Sequence, residues 1–305
     1  MLGLSALWGS SYLFIKIAVE GGLVPAELVF VRLVIAAAVL LAVARLRGLR
    51  LPRGSRPWRS FAIMGLVGTA APFTLIAWGE TRITSSLAAI LNATVPIATI
   101  LLAHFWTRQE RLTPMRAVGI LIGFAGVVVL TGNVSLSGGG AALLGVAALL
   151  ASSVCYGVAA TFARDAFQDV PPVIASTGQM LCGAVFMAIP GIAGGFAARG
   201  APSLGAIAAM VALALLGTVG AYLLYYRLIA RVGATRTATS TYLLPAFAVV
   251  YGALFLREPI GWRLLAGFAL ILLGVAFVSG RIRPRGVPST PVHRSTSGLS
   301  PWAGE

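Results

Sequence analysis

Residues 110–130 read ERLTPMRAVGILIGFAGVVVL, and residues 258–278 read EPIGWRLLAGFALILLGVAFV. Each opens on a glutamate and a polar, proline-bearing stretch and runs into an apolar segment with glycines at matching places. Outward from this pair the correspondence continues at offsets of 147 to 149 residues: WGSSYLFIK from Trp8 with YGVAATFAR from Tyr156, GLVGTA from Gly65 with ALLGTV from Ala214, ETRITSS from Glu80 with IARVGAT from Ile229, and Pro96 with Pro245. The chain is one unit written twice.

What that unit is follows from composition. Of 305 residues 58% are apolar and only 10% charged, with a mean hydropathy of +0.93, far from the range of a soluble globular domain. The formal charge of +15 fits nucleic acid as well as a membrane, so position decides. Most arginines stand in short tracts between apolar runs of about 20 residues, each long enough to cross the hydrocarbon core as a helix. The reading is an all-α membrane protein that contacts the lipid bilayer and no nucleic acid.

Ten spans are predicted near residues 2–19, 25–44, 59–79, 84–105, 113–131, 141–163, 171–193, 205–227, 236–256 and 260–280. The first lacks a basic segment before it and is followed by nine more, so it reads as a span and not a cleaved signal. Five spans per copy is an odd number, so the second copy enters from the opposite side: two inverted five-helix repeats, 1–131 and 140–280, related by an axis in the membrane plane. A site between inverted halves opens to either side by rocking, which points to transport. With the N-terminus cytoplasmic, 17 basic residues fall inside and four (Arg82, Arg199, Arg257, Arg263) outside, so both termini are expected in the cytoplasm. The stretch 281–305, rich in Pro, Ser and Arg, reads as a disordered cytoplasmic tail.

With these residues in view the chain resembles the EamA-type members of the drug/metabolite transporter superfamily. The resemblance lies in ALWGSSYLFIKIA of span 1, Pro25 with ELVFVRLVIAAAVLL of span 2, and SSLAAILNATVPIATILLAHFWTRQERLTPMRAVGILIGFAGVVVL across spans 4 and 5. It covers Leu4 to Ser279 and implies ten helices in two repeats, in a bacterial cytoplasmic (inner) membrane, commonly exporting amino acids or other small metabolites. Gln179 is the family's usual residue where the first copy has Arg32. One departure is visible: Pro96 to Glu110 is 14 residues and Pro245 to Glu258 is 13, so the register at the end of span 4 is open.

Candidate substrate-binding residues come from polar stripes at helical spacing. Ser85, Asn92 and Thr99 recur every seven residues on span 4, around Pro96. A proline in a membrane helix leaves a carbonyl that needs another partner, and is tolerated where the backbone faces protein or water. Pro96 and Pro245 are therefore candidate helix-gating positions. Trp8, Tyr12 and Lys16 lie on span 1, Trp78 on span 3, Tyr156 on span 6, Tyr222 on span 8 beside Thr218 and Tyr225, and Tyr242 on span 9. The plain alternative for such stripes is interhelical packing, strongest for Gly119, Gly123, Gly126, Gly267 and Gly274 at GxxxG-like spacing.

Charge inside the membrane is more telling, because each ionised group there costs several kcal/mol unless paired or hydrated. Lys16 lies near the outer end of span 1, from which it can snorkel. Arg32 lies a third of the way down span 2, where it pairs structurally or holds substrate, and Gln179 is its polar counterpart. All eight acids are placed at span ends or in the tail, Glu80 among the outer ones. That placement predicts little dependence on a proton gradient. Rings, amides and hydroxyls with a cation nearby suit a small-molecule substrate that is neutral or zwitterionic, its carboxylate seeking Arg32 or Lys16. Exporters of drugs or other metabolites remain an alternative reading, and a channel another class. No metal-ligand cluster, phosphate loop or nucleophile–base pair is present, so no cofactor, metal or catalytic residue is assigned. Monomer and homodimer are equally compatible with the sequence.

Overall fold

In a computed structural model the protein is described over residues 1–107, 113–137, 139–167, 170–193, 201–232, 237 and 240–279. The predicted tail 281–305 lies outside the described residues, as do Glu110, Asp169, Arg108, Arg111, Arg199 and Arg236. Every regular element among the described residues is helical. Eight helices of 18 residues or more are apolar enough to cross a membrane, and the shorter apolar helices Ser240–Leu256 and Trp262–Val278 complete ten spans. The chain is a ten-helix membrane protein.

Observed and expected boundaries agree closely because hydropathy and helix punctuation act together. Span 1 is Leu2–Glu20, closed by Gly21, and span 2 is Pro25–Leu46, begun by a proline in its first turn. Large apolar side chains point outward along the bundle, Ile189 at 81% and Leu254 at 71% exposed, as a surface covered by acyl chains requires. The bundle ends in two faces, one carrying Met1 and the other Gly21. The Met1 face also carries the 46–55 connection, and the Gly21 face the turns at 80–85 and 256–262.

The packing alternates between the copies. Span 1 lies against span 9, and its repeat partner span 6 lies against span 4. Span 2 packs on spans 7 and 8, and span 7 on spans 2 and 3. Spans 5 and 10 cross each other. Glycine permits the close approaches. A Cβ at Gly9 would stand 2.8 Å from Cβ of Phe247 on span 9, and one at its repeat counterpart Gly157 would stand 3.0 Å from the backbone N of Thr99 on span 4. At the crossing of spans 5 and 10, a Cβ at Gly274 would come 2.6 Å from the Gly119 carbonyl oxygen, so this glycine spacing does serve helix contact.

Two features escaped periodicity. Spans 3 and 8 each contain a π-helical stretch, Leu66–Ala70 and Leu213–Gly220, over the two segments GLVGTA and ALLGTV that the repeat aligns. A third, Ala103–Thr107, widens the end of span 4. A π turn holds one more residue per hydrogen-bonded ring; residues 108–110 of HFWTRQE lie outside the described residues.

Candidate functional site

Span 4 breaks where its sequence is polar. One helix ends at Asn92, another begins at Val95, and Ala93 and Thr94 lie between them. Pro96 falls in the first turn of the second piece, where its missing N–H costs little. Hydroxyls close the break: Thr94 Oγ1 donates to the Leu91 carbonyl at 2.7 Å and lies 3.1 Å from Ser153 Oγ. Asn92 Oδ1 accepts from Ser152 Oγ at 3.2 Å and Ser153 Oγ at 3.4 Å, both on span 6. The Tyr12 hydroxyl of span 1 stands beside the Asn92 side chain.

Arg32 occupies the middle of this region and is 6% exposed. Its Nε donates to Thr218 Oγ1 at 2.8 Å, and its guanidinium lies 3.8 Å over the ring of Phe73. Thr218 in turn donates to the Leu213 carbonyl at 3.1 Å, five residues back, a bond the π turn makes available. The structural partner expected for Arg32, a carboxylate or carbonyl, is thus replaced by a hydroxyl and an aromatic face. Neither Nη atom has a hydrogen-bond partner in the protein among the described residues. Tyr12, Tyr156 and Tyr222 stand within electrostatic range of the guanidinium, on spans 1, 6 and 8. Three phenols, an amide and one cation from five spans therefore meet at the centre of the bundle. Gln179, buried at 6% exposure, faces the corresponding place in the other copy, its side chain against Gly68 in the π turn of span 3.

Other candidates fall elsewhere. Lys16 is held at the Gly21 face, where Nζ donates to the carbonyls of Glu80 at 2.8 Å and Ile83 at 3.1 Å and pairs with Glu20 at 3.2 Å. It caps the last turn of span 3 and does not point into the phenol cluster. Trp78 stacks with Arg82, whose guanidinium carbon is 3.5 Å from the ring centroid, and so marks the rim of the same face. Thr99 Oγ1 donates to the Val95 carbonyl at 2.8 Å within its own helix. Tyr242 reaches the opposite face, where its hydroxyl and that of Ser279 are 2.9 Å apart. Trp8 pairs with Tyr225 at 5.5 Å between centroids, on the Met1 side of Tyr12. Pro245 sits inside the continuous helix Ser240–Leu256.

Sequence reasoning placed Glu80 at an outer span end and gave it no role. It does end span 3, but the side chain is 0% exposed, and neither carboxylate oxygen has a hydrogen-bond partner among the described residues. Phe73, one of a run of apolar residues, gave no signal at all. Glu258 proves to be a link between copies: Arg257 adopts the left-handed conformation (φ 54°), turning the chain so that Glu258 accepts from the backbone N–H of Ser85 at 2.7 Å and of Ser86 at 2.9 Å. A carboxylate thereby caps the N-terminus of span 4 from the other repeat.

The EamA-like transporter family profile matches residues 1–132 and 143–280, and the chain belongs to that family. It is 30% identical over 253 residues to the inner membrane transporter YedA of Escherichia coli (strain K12), covering 83% of this chain and 80% of YedA. An "uncharacterized transporter" of Archaeoglobus fulgidus is 28% identical over 89% of this chain and 94% of its own. The "probable terminal-alkyne amino-acid exporter" of Streptantibioticus cattleyicolor is 29% identical over 94% of this chain and 95% of its own. A crystal structure with a TM-score of 0.63 and 23% identity covers 92% of this chain and 96% of that one, a likeness of fold. This protein is a multi-pass membrane transporter.

Proposed function

We propose that the transporter exports amino-acid-like zwitterions from the bacterial cytoplasm by alternating access about the Arg32 cluster. The observation that carries this reading is the guanidinium itself: buried, fixed at Nε by Thr218 and beneath by Phe73, with neither Nη group hydrogen-bonded among the described residues. A substrate carboxylate suits that edge, since two parallel N–H donors match its two oxygens. Tyr12, Tyr156, Tyr222 and Asn92 suit the remainder of a small polar molecule. The name borne by the Streptantibioticus relative agrees with this class.

The copies 1–131 and 140–280 are the two units that rock. The break at Ala93 and Thr94 gives the first copy a hinge beside the site, with Pro96 in the first turn of the second helix. Both termini lie in the cytoplasm, which makes the Gly21 face extracytoplasmic. The test is reconstitution in liposomes with labelled neutral amino acids and, in parallel, matched amines and carboxylic acids. Saturable flux and countertransport confined to compounds with a carboxylate are expected; equal flux of the amines, or ohmic current without saturation, overturns the reading. Single cysteines near Arg53 and near Thr81, labelled from one side only, test the orientation.

A further inference from the structure

The centre of the bundle makes no use of the Glu80 carboxylate. It is fully buried, and neither Oε1 nor Oε2 meets a donor among the described residues. An ionised carboxylate so placed lacks both water and hydrogen bonds, a cost of several kcal/mol.

Lys16 and Arg32 lie within electrostatic range of it, but neither donates to it. Lys16 has three N–H donors, and they serve the Glu80 main-chain carbonyl, the Ile83 carbonyl and Glu20, whose charge already compensates the ammonium. Arg32 is turned to Thr218 and Phe73. Glu258, a second negative charge, is engaged by Ser85 and Ser86. With Tyr12 and Glu20 of span 1, these are the ionisable groups around Glu80. The adjoining helix Ser85–Asn92 and π turn Leu66–Ala70 contain none, and Gly145 and Leu149 of span 6, packed on Gly79, contribute none.

We propose that Glu80 is a proton-binding site of the transport cycle, holding a proton while the Gly21 face is closed over it and releasing it to water when that face opens. The reaction is the transfer of one proton between water and a carboxylate oxygen, with no other reactant. This inference rests on the transporter working by alternating access. The Gly21 face is closed here: Ser203 N–H donates to the Gly21 carbonyl at 3.0 Å between copies, and Glu258 holds Ser85 and Ser86. Both Glu80 oxygens are without accessible surface, so nothing larger than a proton reaches them in this conformation, which separates a proton from the ammonium of a substrate. Because closing binds a proton, rising pH favours opening, at most about tenfold in the open-to-closed ratio per pH unit. The small proton dependence expected from sequence rested on there being no buried carboxylate, and burial of Glu80 removes that premise.

The test uses the full chain in lipid nanodiscs without substrate, with Cys155 and Cys182 replaced by alanine and spin labels at Thr81→Cys and Gly205→Cys on the Gly21 face. The population of longer distances should grow with pH, by up to about tenfold per unit in the ratio, and Glu80→Gln should stay closed at every pH. Infrared difference spectra of the unmutated chain at neutral pH should contain a carboxylic-acid C=O band that Glu80→Gln removes and Glu80→Asp shifts. An unchanged pH response in Glu80→Gln, or no acid band in the unmutated chain, overturns the proposal. So does loss of zwitterion binding in Glu80→Gln with distances indifferent to pH, which would make the carboxylate an ammonium ligand. Neither the distances nor the spectra involve a substrate, so a failed zwitterion reading leaves this test standing.

Discussion

In the first copy the fourth span runs as two helices, Ser85–Asn92 and Val95–Leu102, whereas in the second copy Ser240–Leu256 is one helix with Pro245 inside it. The two prolines correspond, so proline alone does not break the span. The residues before it differ: Asn92, Ala93, Thr94 and Val95 against Thr241, Tyr242, Leu243 and Leu244. Asn and Thr carry short polar groups that compete with the helix for backbone partners. Thr94 donates to Leu91 in the first copy, and Ser152 and Ser153 across the interface hold Asn92. Leucines in the second copy offer no such alternative, and the helix continues. Arg32 and Gln179 divide in the same way, one copy supplying charge and the other an amide. A twofold scaffold with one-sided chemistry gives the site a direction in which to orient an asymmetric ligand.

Making the copies alike at the cation should have the largest effect. Arg32→Gln removes a charge-assisted pair of hydrogen bonds of about 1.5–3 kcal/mol, so zwitterion affinity should fall about 10- to 100-fold by calorimetry or transport KM. An affinity unchanged in Arg32→Gln places the carboxylate elsewhere. The scaffold should prove symmetric by contrast. Gly9→Ala and Gly157→Ala each push a methyl into the facing fourth span, and each should cost about 1–3 kcal/mol in thermal or denaturant unfolding. A large effect at one glycine and none at the other would mean that only one interface is tight.

A smaller loss is expected at the break. Thr94→Leu deletes the bonds to Leu91 and Ser153 and restores the second copy's residue type; it should cost about 1 kcal/mol of stability and slow turnover while leaving binding near normal. Turnover as fast as in the parent chain would show that the break is not a hinge. Smallest of all, the prolines should differ in sign. Pro96→Ala, in a first turn, should lower stability by about 0.4–1 kcal/mol through the more flexible unfolded chain. Pro245→Ala restores an interior helix bond and should raise the melting temperature.

Ten spans, their duplication and most of the central cluster were legible in the sequence. Tyr12, Arg32, Asn92, Tyr156 and Tyr222 stood out because polar groups within apolar runs of helix length have few reasons to be there. Trp78 and Tyr242 satisfied the same criterion and lie toward the two faces of the bundle, since periodicity gives a face of a helix but not what that face meets.

Hydropathy and repeat offsets are properties of one segment or of two aligned segments, so the chain by itself determined spans, inversion and candidate polar positions. Tertiary structure alone decided that Lys16 caps span 3, that Glu258 binds Ser85 and Ser86 from the other copy, and that Phe73 underlies Arg32. It also decided that Glu80 is buried with no donor among the described residues. A residue at a helix end is hydrated or dry according to which neighbour covers it, and that neighbour here is set by the packing of one copy against the other, not by any local feature of the sequence.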